Sequence, residues 1–440
     1  METTTQTTGV LDAANQAQET RLFHSADWFA TLRQQGWQRF QALPMPTREQ
    51  EKWRFSDTRT LSFDGFAPAA YPSESTVAAL LQRSQIISQP AGLIVHIDGH
   101  VVLEPQLSPE LVSQGVIFES LEKALKHHPA LLKQHLLQHL VNLGGDKFHA
   151  LHQAWLRAGY FLHIPKGVVV TAPFVSVHWT SADNSAIFPH ALVIAADRAQ
   201  GQVLDFHFGA QLDSRALAIS CCDVHTGQEA KLERLSVQAW GDQTQSFQVD
   251  NTCGGRGAEI TAINAALGAR RARLENTVRL DGPGADVHLY GISVATEGQE
   301  YDQRTLQIHA APEAKSDLLF KNALLGKSRT IFSGLIKVEP DAQRTDAYQT
   351  NRNLILSPEA EADSLPGLEI EANDVKCSHG ATTGQVSPEE LFYLQARGIP
   401  LKLAQELLTQ GFLEEILTKI SHDEAGEALR TLLREKFQRS

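Results

Sequence analysis

A small or acidic residue followed by alanine recurs at Ala230, Ala258, Ala285, Ala314, Ala342 and Ala372, at intervals of 28, 27, 29, 28 and 30 residues by subtraction. Apolar-x-apolar triplets precede most of these alanines: Val278/Leu280, Leu306/Ile308, Ile336/Val338 and Leu368/Ile370. Alternation of this kind turns one pair of side chains inward on a strand. A period in the range of about 20–50 residues marks stacked coils, each burying its apolar face only against its neighbours. Between Gly159 and Gly384, short β-like runs alternate with Gly, Asp and Asn turns, and few segments carry a helical period. The expected core over 146–386 is therefore a parallel β-helix or similar β-solenoid; the fold class expected is a right-handed parallel β-helix. An ordinary β-sandwich has no reason to hold so steady a spacing.

The flanks read differently, so the chain is expected to be mainly β with helical ends. Residues 1–24 are Thr-, Gln- and Ala-rich, without a basic start or an apolar run, and read as a disordered tail rather than a signal peptide. An N-terminal helical or α+β domain is expected over 25–145. It opens on a helix from Ser25 to Leu43, stopped by Pro44 and Pro46. It continues through a hairpin at Leu93–Val102 around Asp98-Gly99. It ends in a helical stretch from Glu119 to Leu140, broken near Pro129. A C-terminal helical domain is expected over 387–440. Ser387-Pro388-Glu389-Glu390 has the form of a capping box with proline at the first helical position, and Gly398 is a natural stop. Two further amphipathic helices follow, one carrying Leu403, Leu407, Leu408, Phe412, Ile416 and Ile420, the other Leu429, Leu432, Leu433 and Phe437. Three such helices make only a small core of their own, so they must pack on the solenoid, on a partner, or on both.

Composition narrows the function. The formal net charge is −12, against sequence-independent nucleic-acid binding and against docking on anionic lipid. No apolar run is long enough to span a bilayer. The four cysteines, Cys221, Cys222, Cys253 and Cys377, form no C-x-x-C pair. A disulfide framework and a cysteine-based zinc site are not expected, and a cytoplasmic location is. Gly326-Lys327-Ser328 lacks the earlier glycine of a phosphate loop, because Lys321 stands there. Gly254-Gly255-Arg256-Gly257 reads as a turn. His135 and His139 sit four apart on the expected helix, with His127, His128, His149 and His152 nearby, but no acidic or cysteine ligand joins the pair, and a solvated His-rich surface is expected.

One block is sharper. Asp374-Val375-Lys376-Cys377-Ser378-His379-Gly380-Ala381-Thr382-Thr383-Gly384 closes the repeat region. On an extended strand, Cys377 and His379 face the same side. A thiolate and an imidazole are both iron ligands, although a buried cysteine beside a hydrogen-bonded histidine has the same appearance in sequence.

That block, with Leu391-Phe392-Tyr393-Leu394 and Arg397-Gly398-Ile399, resembles the C-terminal signature of the SufD branch of the SufB/SufD family. Phe332–Val338 with Thr345-Asp346, Gly159–Val168, and Pro46–Phe55 resemble further family segments, so the likeness spans about residues 44–412. Two departures separate the branches. Where SufB carries a cysteine implied to accept sulfur, this chain has Asn351; where SufB has His-Glu, it has His379-Gly380. The resemblance implies a non-catalytic scaffold subunit in a complex with SufB and the ATPase SufC. SufB would pair solenoid to solenoid, and SufC would dock on the C-terminal helices through Glu390, Phe392, Tyr393, Arg397, Gly398, Leu407 and Phe412. Iron or a nascent iron–sulfur cluster, transient and shared with SufB, would meet His379 and, less directly, Cys377. No cofactor is expected to stay on the isolated chain, which could instead pair with itself. A stand-alone metal-dependent β-solenoid enzyme is the alternative, and it would need a self-sufficient catalytic set that the motifs do not supply.

Overall fold

The computed structural model describes Leu11, residues 27–138 and residues 143–439. The expected tail lies outside these residues except for Leu11, which is buried with Trp53 and Phe148 in one apolar cluster. Ser25 and His139 also lie outside them.

The leading helices are α1 (Asp27–Ala42), α2 (Glu74–Arg83), α3 (Pro109–Ser113), α4 (Leu121–His127), α5 (Pro129–His135) and α6 (Asp146–Trp155). Strands β1 (Gly92–Ile97), β2 (His100–Leu103) and β3 (Ile117–Ser120) lie among them. The solenoid then runs through β4 (Ala158–Ile164), β5 (Phe174–Thr180), β6 (Ser185–Ile187), β7 (Pro189–Ala195), β8 (Gln200–Gly209), β9 (Ala216–Thr226) and β10 (Lys231–Ala239). It continues through β11 (Gln245–Gly254), β12 (Glu259–Ala266), β13 (Arg271–Leu280), β14 (Asp286–Ala295) and β15 (Glu300–His309). It closes with β16 (Lys315–Leu324), β17 (Arg329–Val338), β18 (Asp346–Ile355), β19 (Glu361–Ile370) and β20 (Lys376–Gln385). Helices α7 (Pro388–Gln395), α8 (Leu401–Leu417) and α9 (Asp423–Arg439) follow.

Two sheets make the walls. The first runs β2-β1-β5-β8-β10-β12-β14-β16-β18-β20, the second β19-β17-β15-β13-β11-β9-β7-β4-β3, with β6 beside β9. Only the hairpin β1–β2 and the pair β3–β4 are antiparallel; every other neighbour is parallel, as in stacked coils. Gln245 pairs with Arg271, Arg271 with Glu300 and Glu300 with Arg329, offsets of 26, 29 and 29 residues by subtraction. The hairpin turn forms as expected, with Asp98 and Gly99 at φ of 50° and 81°. β1 also joins the first sheet beside β5, so part of the N-terminal region is continuous with the solenoid.

The alanine repeat has a simple cause. The residue that opens each of five strands of the first sheet donates its N–H to the alanine carbonyl one coil earlier: Lys231 to Ala199, Glu259 to Ala230, Asp286 to Ala258, Lys315 to Ala285 and Asp346 to Ala314, at 2.7–3.1 Å. All five alanines are fully buried, and a larger side chain would collide in the stacked corner. The ladder starts one coil earlier than the sequence pattern suggests, and it leaves Ala342 and Ala372. In the later coil Lys376 donates to Thr345, three residues past Ala342, because that corner is longer.

The triplet Leu306/Ile308 is one residue out of phase. Register aligns Val278 with Gln307 and Ile336, and Leu280 with His309 and Val338. Gln307 and His309 therefore face the lumen, where both bond the Ser316 hydroxyl at 2.8 Å. The expected helix from Glu119 to Leu140 is also shorter than its composition suggests. Glu119 lies within strand β3, Pro129 starts a second short helix, and the chain leaves helical geometry at Leu136 and turns at Leu137 with φ of 55°.

Helices cover both outer faces. α1, α4, α5 and α6 lie over the second sheet, with Phe29, Leu121, Leu132 and Leu156 packed on Phe161, Leu192 and Ile194. α8 and α9 lie over the first sheet, where Leu413, Ile416, Leu417, Leu429, Leu433 and Phe437 meet Phe206, Val237, Ile263 and Ile292. Between these layers the lumen mixes apolar and polar rungs. Arg234 bridges Asp205 and Asp250 at 2.8 Å each, and His96, His178 and His207 stack in consecutive coils. Burial pushes His96 and His207 down to about 4, so these rungs are neutral imidazoles. Among the described residues, no helix is long and apolar enough to cross a membrane.

Candidate functional site

The two sheets end differently from how they begin. β20 pairs only with β18 and β19 only with β17, so the last coil has a free edge on each sheet. Neither strand contains a buried residue, whereas β17 and β18 bury alternate residues along their length. The lumen-facing side of the final coil is thus open to solvent.

His379 and Cys377 lie on that side. Register places Cys377 over Ala347 and His379 over Gln349, two residues fully buried in the lumen of the preceding coil. Their shared direction follows from strand alternation, as the i, i+2 spacing predicted. They differ in exposure. Cys377 is half-buried against Ile336, Val338 and Ala347. Burial, followed by the Asp346 carboxylate, pushes its thiol up, so it is protonated unless a cation takes the proton's place. His379 is exposed. Among the described residues, neither belongs to a group of three metal-ligand side chains within one coordination sphere.

Asn351 faces the same lumen one coil below. It accepts from Ser364 Oγ at 2.6 Å and Asn353 Nδ2 at 3.0 Å. This belongs to a polar ladder, Ser293 to Asn322 to Asn353 to Thr383, with one side chain per coil and bonds of 2.6, 2.9 and 3.1 Å. The ladder ends on the open coil. Burial raises the Cys221 and Cys222 thiols far up and pushes Cys253 up to about 12.

The second candidate surface is the start of the C-terminal region. Ser387 caps α7 by accepting from Glu390 N, and Gly398 ends the turn with φ of 83°. Phe392 is 72% exposed and Tyr393 56%, and Arg397 stacks on the Tyr393 ring at 3.6 Å. Glu390 and Gly398 are exposed, as are Leu401, Leu403 and Leu407 on the first half of α8. Phe412 is placed otherwise. It is partly buried against the first sheet, its carbonyl accepting from Lys321 Nζ at 2.7 Å and its ring lying 4.8 Å from the same ammonium.

The fold also assembles two ligand groups that the sequence did not reveal. Glu119 joins His127 and His128, and Cys221 joins His152 and His190, each trio offering ligand atoms within 4.8 Å of one another. His135 ends α5, and the ring that contacts it at 4.6 Å is His225.

Comparison with known proteins supplies the family. A family model described as SUF system FeS cluster assembly, SufBD core domain, matches residues 178–412, and one for the SufBD protein N-terminal region matches residues 6–175. The iron-sulfur cluster assembly protein SufD of Bacillus subtilis is 28% identical over 423 residues, covering 93% of this chain and 94% of that protein. An iron-sulfur cluster assembly SufBD family protein of Mycobacterium bovis is 30% identical over 282 residues, covering 62% of this chain and 68% of that protein. One from Staphylococcus saprophyticus is 23% identical over 420 residues, covering 92% and 89%.

Proposed function

We propose a scaffold role for this chain, which belongs to the SufBD family of SUF-system iron–sulfur cluster assembly proteins and is SufD-like. In this reading it is a non-catalytic subunit. It pairs with SufB through the open coil of the solenoid and receives the ATPase SufC on α7 and the first half of α8. Iron or a nascent cluster is held at the SufB junction as cargo, and ATP hydrolysis in SufC moves that junction.

The observation that carries the reading is the uncapped coil. Two free strand edges are a standing invitation to further pairing, and unrelated proteins usually blunt them. Here they flank an exposed imidazole and a half-buried thiol on one side of β20. Exposed Tyr348, Leu365 and Ile370 add apolar surface around them. Two ligands from one chain are an incomplete set for iron, which suits a site completed by a partner. Asn351 offers no thiol, so sulfur would arrive through SufB.

The test is cluster assembly by the three-subunit complex carrying His379→Ala. His379 is exposed, so its loss is expected to change stability by no more than about 0.5 kcal/mol. The complex should form normally, with iron and sulfide content reduced severalfold after anaerobic reconstitution. A normal cluster yield from the assembled variant complex would remove His379 from the site. Failure of the wild-type chain to bind either partner would remove the subunit role.

A further inference from the structure

A second set of ligands lies far from the open coil, between α6 and the outer face of the second sheet. α6 points His149 and His152, one turn apart, at the sheet. β7 contributes His190, which pairs in register with Cys221 on β9, and Asp223 lies two residues further on the same face. His152, His190 and Cys221 are each at least 97% buried.

The hydrogen bonds around the two histidines leave a definite conflict. His152 Nδ1 lies 2.8 Å from the Ile219 carbonyl, which can only accept, so Nδ1 carries the proton and Nε2 presents a lone pair. That Nε2 is 3.1 Å from His190 Nδ1. The other nitrogen of His190, Nε2, is 3.2 Å from Asp223 Oδ2. If neutral His190 carries its proton on Nδ1, an unprotonated nitrogen lies 3.2 Å from the Asp223 carboxylate, off the line of a hydrogen bond. If it carries the proton on Nε2, two imidazole lone pairs face each other. Either neutral tautomer leaves one repulsive contact between fully buried groups, and a single positive charge removes both. Two cations could supply it: a proton on His190, or a metal ion.

We propose that the ion is a divalent metal of the zinc or ferrous class, bound by His152 Nε2, His190 Nδ1 and the Cys221 thiolate. Two imidazoles and a thiolate suit these metals. Ligand nitrogens at about 2.0–2.1 Å from a tetrahedral ion sit about 3.3 Å apart, close to the spacing observed. The outer contacts are those of ligating histidines: one ring donates its second N–H to a backbone carbonyl, and the other faces a carboxylate. Asp223 is itself fixed by N–H groups of Leu137 and Asn251 at 2.8 and 3.1 Å. His149 is buried beside the set with Nδ1 lacking a hydrogen-bond partner, and it is a candidate fourth ligand. Binding displaces the Cys221 S–H proton to solvent, leaving the thiolate on the metal. Burial, then Asp223, pushes that thiol up, so the metal is what would make it a thiolate. The ion would clamp α6 to the solenoid, a structural role separate from cluster cargo at His379.

The test uses the full, tag-free chain, refolded from metal-free denaturant with either zinc or cobalt(II) and then washed with chelator. About one ion per chain should remain, and the cobalt form should show a thiolate-to-metal charge-transfer band. Cys377→Ser should keep the band and Cys221→Ser should lose it. Asp223→Asn should weaken retention about 10–100-fold. If the wild-type chain refolds without retaining either metal, the charge between the histidines is a proton and the proposal fails. A band that follows Cys377 instead would also overturn it. The wild-type result stands even if Cys221→Ser does not fold, and it does not depend on partner binding.

Discussion

Replacing Arg234 by alanine is expected to destabilise the chain by about 3–5 kcal/mol, because the two carboxylates it bridges would stay buried without their counter-charge. Arg234 Nε and Nη1 each reach a carboxylate oxygen at 2.8 Å, on Asp205 and Asp250, and all three residues are at least 94% buried. Tyr160 adds a third tie by donating to Asp205 Oδ1 at 2.7 Å. The four side chains come from β4, β8, β10 and β11, so the network joins both sheets across the lumen. The measurement is the urea midpoint of the full chain. A triple variant, Arg234→Met with Asp205→Asn and Asp250→Asn, removes the charges together and should recover much of the loss. If Arg234→Ala unfolds at the wild-type midpoint, water reaches the carboxylates and the network contributes little to stability.

That polar layer also explains where the sequence pattern misled. The alanine period is legible because a stacked corner admits only a small side chain, whatever surrounds it. The apolar triplets are less reliable, because lumen and outer face both carry apolar and polar residues in this fold. Helices cover the outer faces, so Phe206 and Ile292 are buried there, while Gln307, His309 and Arg234 point inward. Alternation then reports which residues share a face but not which face is the inside, and Leu306/Ile308 fell on the wrong side. The same rule was enough at β20, where Cys377 and His379 needed only to share a face. It could not bring His152, His190 and Cys221 together. One stands on a helix and two on successive coils, and only the helix-on-sheet packing makes them neighbours.

Deleting residues 387–440 is expected to make the chain insoluble rather than merely unable to bind SufC. The first sheet would lose the cover of Leu413, Ile416, Leu417, Leu429, Leu433 and Phe437, all at least 98% buried. At about 1.5–3 kcal/mol per side chain, that burial is of order 10 kcal/mol, comparable with the whole net stability of a domain. Lys321, 4% exposed, would also lose Glu415 and the Phe412 carbonyl and be left as an unpaired charge on the sheet. The C-terminal region therefore does two jobs along one chain: α9 and the second half of α8 hold the sheet, while α7 and the first half of α8 face solvent. Phe392→Asp combined with Leu403→Asp separates them. Both side chains are exposed, so the urea midpoint should move by no more than about 0.5 kcal/mol. Affinity for SufC, measured by titration calorimetry, should fall about 30-fold or more if these side chains are anchors of the docked face. Unchanged affinity in the folded variant would move the docking surface off α7 and α8. A soluble truncation with the wild-type midpoint would show that the sheet does not need its cover, and the division of labour between the two halves would fall.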